Sequence, residues 1–145
     1  MNEPKFEWLP EERIAFCTLV DPVTHREYVG TASCHEDDID MCNEKTGCEI
    51  ALRRAAIEAY KTLRDETKAA LGALKQLFYS MNMSKKYNPN SYEARMLRRQ
   101  IKIKESELEY TKYLLEIERT ELRDYISGKE KFYQNIRTQR KKGQD

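Results

Sequence analysis

The sequence contains few of the residues that interrupt regular structure and few of those that carry common catalytic chemistry. Five glycines and four prolines among 145 residues predict long, uninterrupted elements. Only two histidines are present, and there is no Gly-rich phosphate loop, no G-x-S-x-G turn and no HExxH sequence. These patterns accompany phosphate binding, acyl transfer and zinc proteolysis. We therefore expect a protein that is not an enzyme.

Long hydrophobic runs are missing as well. No segment approaches the roughly 20 apolar residues that a membrane helix needs, and the first residues lack the apolar core of a signal peptide. With 35% charged and 39% hydrophobic residues, the chain is too polar for a membrane protein and too apolar for full disorder. We expect one soluble domain over residues 1–138, located in the cytoplasm.

The four cysteines, Cys17, Cys34, Cys42 and Cys48, all fall in the first third of the chain. Their spacing matches neither paired zinc ligands nor the disulfide framework of a small secreted protein. Cys34 and His35 together with Cys42 and Cys48 suggest a metal site, but ligand pairs at turn spacing are missing. We expect no metal and no cofactor, and reduced cysteines that act as small buried side chains.

The formal net charge of +1 conceals an uneven distribution of charge. Residues 1–50 contain 4 basic and 12 acidic side chains, whereas residues 51–145 contain 22 basic and 13 acidic ones. Oppositely charged halves favour contact within a chain or between copies of it. The acidic half argues against binding of long nucleic acids, while a small anion remains compatible with the basic half.

Residues 13–34 are expected to form an antiparallel β-hairpin. An unbroken β-favouring run covers residues 14–20, turn residues occupy 21–25, and a second run covers 27–34. The small residues that begin at Gly30 allow a helix, another backbone or a ligand to approach closely. Three apolar residues upstream are expected to pack on the same sheet: Phe6, Trp8 and Leu9.

Two long helices are predicted after the hairpin. Apolar residues at spacings of three and four indicate a first helix over 43–81, with Asn43 as its N-cap. Turn residues over 82–90 reverse the chain, and a second helix over 91–127 returns antiparallel to the first. The predicted fold is α+β, an N-terminal antiparallel β-hairpin or sheet packed on a long antiparallel helical hairpin, mostly helical.

Local signals mark the ends of the second helix. Asn90, followed three residues later by Glu93, has the pattern of a capping box. Gly128 is expected to end or kink the helix. One or two further turns are expected as a short helix over 129–138, and the basic tail over 139–145 is expected to be disordered.

The second helix carries two apolar series that each repeat every seven residues. The first consists of Ala94, Ile101, Leu108, Leu115 and Leu122, and the second of Met96, Ile103, Tyr110 and Ile117. Because successive side chains turn by about 100°, the two series lie on nearly opposite faces. One face can pair with the first helix. The other needs a second partner, either the N-terminal hairpin or another copy of the chain, and we expect a homodimer or higher homo-oligomer.

Side chains suited to nucleotides gather near the predicted helix ends. They are Arg53 and Arg54 near the start of the first helix, Phe78 and Asn88 around the turn, and Arg95, Arg98 and Arg99 after it. Guanidinium groups suit phosphates, aromatic rings stack on bases, and side-chain amides read base or sugar edges. The same residue types also occur on ordinary helical surfaces, where Arg is solvated and Phe belongs to the core.

Two segments of the chain resemble a small group of bacteriophage proteins. Residues 30–38 match the strand-end pattern G-x-A-x-C-H-x-x-D, and residues 43–55 match the helix start S/N-E-x-x-G-x-x-I-A-x-x-R-A. The best-known proteins that the chain resembles in these segments are the first described class of Thoeris anti-defence proteins. These are phage-encoded sponges that trap the cyclic ADP-ribose isomer signal of the bacterial Thoeris immune system.

The resemblance implies an architecture and a set of candidate site residues. The family has an N-terminal antiparallel sheet and two long helices, assembles into dimers or higher oligomers, and forms ligand pockets between protomers. Some members are thought to hold cyclic oligonucleotides in separate pockets. The ligand-binding candidates are basic residues of both helices, an aromatic residue, a turn amide and the motif histidine: Arg53, Arg54, Phe78, Asn88, His35, Arg98, Arg99 and Arg123.

The expected function is that of a phage-encoded anti-defence protein. It binds and sequesters a cyclic nucleotide immune signal, a cyclic ADP-ribose isomer, in the host cytoplasm without cleaving it. Such a pocket pairs Arg with the pyrophosphate and stacks an aromatic ring on adenine. The alternative is a helical interaction protein that inhibits a host protein by direct binding, with the Arg residues serving as solvated surface.

Overall fold

The structure is a computed structural model that describes residues 3–33, 43–84 and 86–144. Within these residues the elements are three strands followed by two helices, which are β1 (Lys5–Leu9), β2 (Ile14–Val20), β3 (Glu27–Ser33), α1 (Glu44–Asn82) and α2 (Tyr92–Gln144). The strands form one antiparallel sheet in the order β1-β2-β3. The predicted α+β fold, with an N-terminal antiparallel sheet and a long helical hairpin, is confirmed.

The predicted hairpin corresponds to β2 and β3, and the apolar segment before it adds a third strand. β1 pairs antiparallel with β2, with Trp8 opposite Ala15, so β2 becomes the central strand. Asp21 holds the turn between β2 and β3, because its carboxylate accepts hydrogen bonds from the backbone N–H groups of Val23 at 2.8 Å and Thr24 at 3.2 Å. These bonds stabilise the ionised form and lower the pKa of Asp21.

The chain comprises two compact units. The sheet unit contains Met1–Ala59 and Glu116–Asp145, and the hairpin unit contains Tyr60–Leu115. Both helices contribute residues to both units. Each unit has a buried core of its own, and folding of residues 1–138 as one domain stays a prediction.

Small side chains bring α1 very close to the sheet in the sheet unit. A Cβ atom added at Gly30 of β3 would collide with the backbone of Ala51 and Ala55 in α1. One added at Gly47 would come within 3.2 Å of Ala15 and of the Trp8 ring. The close approach that the small residues of β3 predict is therefore made by a helix. The core of this contact consists mainly of alanine, with Cys17 and Leu19.

The hairpin unit buries three residues of the first apolar series of α2. Ala94, Leu108 and Leu115 are all less than 8% exposed. In the second series, by contrast, Ile103 is 48% and Tyr110 63% exposed. Within this unit, one apolar face of α2 is therefore buried and the other is exposed at these positions, and the second partner expected for the exposed face stays a prediction.

Three of the four helix bounds, Glu44, Asn82 and Tyr92, lie within one residue of the prediction, and one of the two predicted caps is confirmed. Asn43 caps α1, since its Oδ1 accepts a hydrogen bond of 2.8 Å from the N–H of Thr46. The cap of α2 is Ser91 rather than Asn90, because the N–H of Ala94 bonds to Ser91 Oγ at 3.2 Å.

No helix in the described part of the chain has an apolar stretch able to cross a bilayer.

The C-terminal end of α2 differs from the prediction. Gly128 does not end the helix, which continues to Gln144 in place of a short helix and a disordered tail. A glycine inside a helix costs only about 1 kcal/mol relative to alanine. The residues that follow are mostly Lys, Glu, Gln and Arg, which are strong helix formers and carry the helix past the glycine.

Candidate functional site

Four basic side chains of α2 line a shallow concavity in the hairpin unit. They are Arg95, Arg98, Arg99 and Lys102, and the concavity has a volume of about 270 Å³. The spacing of three, four and seven residues places all four on one side of the helix. We call this set of four residues the basic face.

The basic face is not neutralised within the described part of the chain. None of the ion pairs there involves its four residues. The next acidic residue on this side of the helix, Glu105, pairs instead with Lys75 at 3.7 Å. Like charges at helical spacings of four residues destabilise a helix by a few tenths of a kcal/mol per pair. An anion bound here would remove that repulsion.

The position of the basic face along α2 also favours a bound anion. α2 begins at Tyr92, so Arg95 lies near its N-terminus, where the partial positive charge of the helix disfavours cations and favours anions. The face is therefore complementary to an anion in its side chains, and the helix terminus adds to this only at Arg95. Tyr92 itself is 67% exposed and lies three and seven residues before Arg95 and Arg99, on the same side of the helix. Its ring is available for stacking.

Arg98 links the basic face to the turn between the helices. Its Nη2 donates a hydrogen bond of 2.6 Å to the backbone oxygen of Pro89. The neighbouring Asn88 lines a second concavity, of about 250 Å³, together with Tyr87 and Ser91 among others. The Oδ1 of Asn88 accepts the N–H of Asn90 at 2.9 Å, which orients the side-chain amide, and the amide nitrogen is a donor.

Arg53 is held by its own chain in the sheet unit. Its Nε lies 3.0 Å from Glu49 Oε1 and its Nη1 lies 3.4 Å from Glu121 Oε2. The guanidinium also stacks over the Tyr125 ring, 5.3 Å from the centroid. A ligand phosphate at Arg53 would have to compete with two carboxylates, which favours a structural role for this residue.

The other candidates are distributed over both units. Arg54 Nη1 donates a hydrogen bond of 2.8 Å to the backbone oxygen of Thr31 and so ties α1 to β3. Arg123 is exposed on α2 in the sheet unit. Phe78 is half-buried in α1 in the hairpin unit. His35 lies outside the described residues.

The structure thus groups the candidates by unit. The hairpin unit brings Arg98 and Arg99 into one concavity, with Asn88 beside it in the turn. Arg53, Arg54 and Arg123 belong to the sheet unit. From the sequence, Arg95 is predicted only as part of a general surface, and two residues of this region, Tyr92 and Lys102, are not predicted. Helical spacing relative to Arg95 and Arg99 is the signal that could have identified both.

The cysteines that the structure describes are free thiols. Cys17 is fully buried in the sheet unit core and Cys48 is half-buried beside it. Burial raises the pKa of both thiols, which keeps them protonated and unreactive at neutral pH. Their expected role as small buried side chains is confirmed for Cys17.

Among the described residues, no group of three or more His, Cys, Asp or Glu side chains is placed to hold a metal ion. Cys34 and Cys42 lie outside the described residues.

A half-buried carboxyl group lies next to the Arg53 network. Burial and the neighbouring charge of Glu121 raise the pKa of Glu118, and Arg53 offsets part of that rise. Ionisation of Glu118 therefore requires more free energy in the folded protein than in the unfolded chain, and the ionised carboxylate lowers the stability of the fold.

Replacing Glu118 with glutamine is expected to raise the melting temperature at pH 7.5. The gain in melting temperature should shrink as the pH falls through the pKa that Glu118 has in the folded protein, because protonation then removes the cost of the ionised carboxylate from the wild type. The gain should vanish below the ordinary glutamate pKa of 4.5. Melting curves from pH 4 to 8 test this. Glu116→Gln, at an exposed position two residues away, is the control. An equal gain at every pH would contradict the electrostatic explanation.

Comparison of the chain with protein-family models, with curated proteins and with solved structures finds no match. The function is therefore inferred from two features: the basic face of the hairpin unit, and the resemblance carried by residues 30–38 and 43–55.

Proposed function

We propose that this chain is a phage-encoded anti-defence protein that binds a cyclic nucleotide immune signal, a cyclic ADP-ribose isomer, and sequesters it in the host cytoplasm without cleaving it. The observation that carries the proposal is the basic face, where Arg95, Arg98, Arg99 and Lys102 line one concavity and have no described carboxylate partner. The resemblance of residues 30–38 and 43–55 supports the choice of ligand class. It also supports assembly as a homodimer or higher homo-oligomer.

The chemistry of the basic face suits a pyrophosphate. Guanidinium groups form paired hydrogen bonds with phosphate oxygens, and Lys102 adds a compact positive charge. The concavity of about 270 Å³ is smaller than the roughly 300–1,000 Å³ of pockets that enclose whole ligands. It therefore fits the phosphate part of a nucleotide. The base and ribose would lie against neighbouring groups, of which the exposed ring of Tyr92 and the amide of Asn88 have suitable chemistry.

The residue types of the basic face favour binding without cleavage. Arginine and lysine are protonated at neutral pH and act only as hydrogen-bond donors. They neutralise a phosphate in its ground state but supply no general base to activate water. Sequestration needs only that the bound state be stable, and the four cations of the basic face support such binding.

A thermal-shift experiment with a graded set of ligands tests the ligand class. We expect cyclic ADP-ribose isomers to raise the melting temperature most, linear ADP-ribose and inorganic pyrophosphate to raise it less, and adenosine to leave it unchanged. A ligand at 100 times its Kd stabilises a protein by about 2.7 kcal/mol, which is readily measured. If no phosphate-bearing ligand shifts the melting temperature, the proposal is wrong.

A second candidate function is inhibition of a host protein by direct binding. It is favoured by the large apolar side chains near the end of α1, where Tyr79 is 66% and Met83 70% exposed. The two functions predict different experiments. A host inhibitor should retain a stoichiometric host protein on an affinity column and should show no ligand-induced thermal shift.

A further inference from the structure

The part of the hairpin unit near its turn combines exposed apolar side chains with an excess of cations. Residues 76–84 contain no charged side chain, and residues 86–104 contain six basic side chains and one acidic one. The large apolar side chains exposed in these two stretches are Leu77, Tyr79, Met83, Tyr92 and Ile103. Exposed apolar surface next to charge is typical of a site that binds a protein or a membrane.

An ion pair between the two helices shows which of these side chains lie beside the basic face. Lys75 of α1 lies 3.7 Å from Glu105 of α2, and this pair marks one edge of the hairpin. Tyr79 follows Lys75 by four residues and Lys102 precedes Glu105 by three, so each lies on the same side of its helix as the ion pair. Because the helices are antiparallel, both steps lead towards the turn. Tyr79 and Lys102 therefore lie on one edge, at a similar distance from the turn.

Met83 extends the apolar part of this edge towards the turn. Its N–H donates a hydrogen bond of 3.2 Å to the backbone oxygen of Tyr79, which places it one helical turn after Tyr79. Tyr79 is 66% and Met83 70% exposed. We call these two residues together with the basic face the turn surface. It presents two large apolar side chains beside four cations.

This combination of side chains has the chemistry of a membrane-docking surface. Tyrosine is enriched at membrane–water interfaces, because its ring enters the apolar region while its hydroxyl group stays in water. The flexible, apolar side chain of Met83 can enter the acyl region beside it. Arginine and lysine are attracted to anionic headgroups, and their alkyl stems lie along apolar surface. We propose that the turn surface docks this chain on a membrane that contains anionic lipids.

Single-stranded nucleic acid is a second polyanion that cations and aromatic rings can bind. It would use the ring of Tyr79 for stacking and the guanidinium groups for the backbone. Met83 has no ring on which a base could stack, although its side chain is the more exposed of the two apolar ones. Insertion into lipid uses both side chains, and the turn surface therefore favours a membrane.

Membrane docking goes beyond the proposed function and stands independently of it. A pyrophosphate at the basic face does not need Tyr79 or Met83, whereas docking needs both. Anionic lipids are concentrated in the leaflet that faces the cytoplasm, so docking is compatible with the proposed location. A chain that binds vesicles but no nucleotide would contradict only the proposed function, and the reverse result would contradict only the docking.

Vesicle flotation tests the docking with pure lipids. The wild type should float with vesicles of equal parts phosphatidylglycerol and phosphatidylcholine and should stay behind with vesicles of phosphatidylcholine alone. The variant Tyr79→Ser/Met83→Ser should bind the anionic vesicles at least roughly tenfold more weakly, because it loses the apolar area that enters the membrane. Lys102→Gln should bind about fivefold more weakly, since it removes one cation near an anionic surface.

Two tyrosines far from the turn provide a matched control in the same unit. Tyr110 and Tyr113 of α2 are 63% and 62% exposed, and Tyr110→Ser/Tyr113→Ser should bind the anionic vesicles as the wild type does. Circular dichroism melting should show that all variants are folded. Insertion has its own signal. The wild type has a single tryptophan, Trp8, and Met83→Trp should add a fluorescence component that shifts to the blue when anionic vesicles are present.

Four results would overturn the inference. The wild type may not float with the anionic vesicles, or it floats equally well with phosphatidylcholine alone. The Tyr79→Ser/Met83→Ser variant floats as the wild type does, or the Met83→Trp emission does not shift. Binding of single-stranded oligothymidylate by a wild type that leaves the vesicles unbound would assign the turn surface to nucleic acid. Retention of a host protein that depends on Tyr79 and Met83, again without vesicle binding, would assign it to a protein partner.

Discussion

Replacing Gly30 with alanine is expected to lower the free energy of unfolding by about 3 kcal/mol, which in a chain of this size lowers the melting temperature by about 10 °C. The added Cβ would overlap the backbone of Ala51 and Ala55 in α1. Backbone atoms of a helix cannot rotate aside as a flexible side chain can, so α1 and β3 must separate. The buried core of the sheet unit lies at this contact, and its packing would be lost with the separation.

Gly72 provides a matched control for this substitution. It lies inside α1, and nothing lies within 4 Å of the place where its Cβ would stand. Gly72→Ala should therefore stabilise the protein by about 1 kcal/mol, because alanine is the better helix former. Urea unfolding of both variants measures the difference. If Gly30→Ala is as stable as the wild type, α1 and β3 do not approach each other as closely as described.

Replacing Arg95 and Arg99 together with glutamine is expected to weaken binding of a cyclic ADP-ribose isomer by roughly 100 to 10,000-fold. Each hydrogen bond from a charged group contributes about 1.5–3 kcal/mol, and a tenfold change in Kd corresponds to about 1.4 kcal/mol. The double variant should fold as well as the wild type or better, because it removes a like-charge pair from an exposed helix surface. Isothermal titration calorimetry and a melting curve separate the two effects.

Two further variants define the place of the site. Arg64→Gln removes the same charge elsewhere in the hairpin unit, where Arg64 already pairs with Asp65 at 3.0 Å, and should leave the affinity within about threefold. Arg123→Gln tests the position in the sheet unit that the resemblance implies. If Arg123→Gln abolishes binding and the double variant does not, the basic face is not the ligand site.

The elements could be predicted because their signals are local. The turn at residues 21–25, the cap at Asn43 and the apolar spacing of both helices each depend on neighbours in sequence. The end of α2 could not be read in the same way. Glycine is typical of the residue that follows a helix C-terminus, but strong helix formers lie on both sides of Gly128, and the helix continues through it.

The roles of the arginines depend on contacts that the sequence does not show. Arg53 meets Glu121, which is 68 positions away, and Arg54 meets the backbone of Thr31. Neither contact follows from a periodic pattern. Arg98 and Arg99 could be predicted as a pair because they are adjacent on one helix, and the same spacing argument extends to Lys102.

The residues that carry the resemblance have a clear physical role in this fold. Gly30 and Ala32 of β3 and Gly47, Ala51 and Ala55 of α1 lie at the contact between sheet and helix. Their small size is required by the close approach of the two elements. These positions therefore indicate the architecture directly, whereas the proposed ligand would be recognised by side chains such as those of the basic face.

The most direct measurement of the central claim is capture followed by release. The purified protein is mixed with a cyclic ADP-ribose isomer, the unbound fraction is removed by filtration, and the retained ligand is released by heating and identified by mass spectrometry. We predict that the wild type depletes the ligand from the filtrate and releases it with its mass and ring intact, while the Arg95→Gln/Arg99→Gln variant leaves it in the filtrate. Release of a cleaved product, or retention by the variant equal to that of the wild type, would contradict the account.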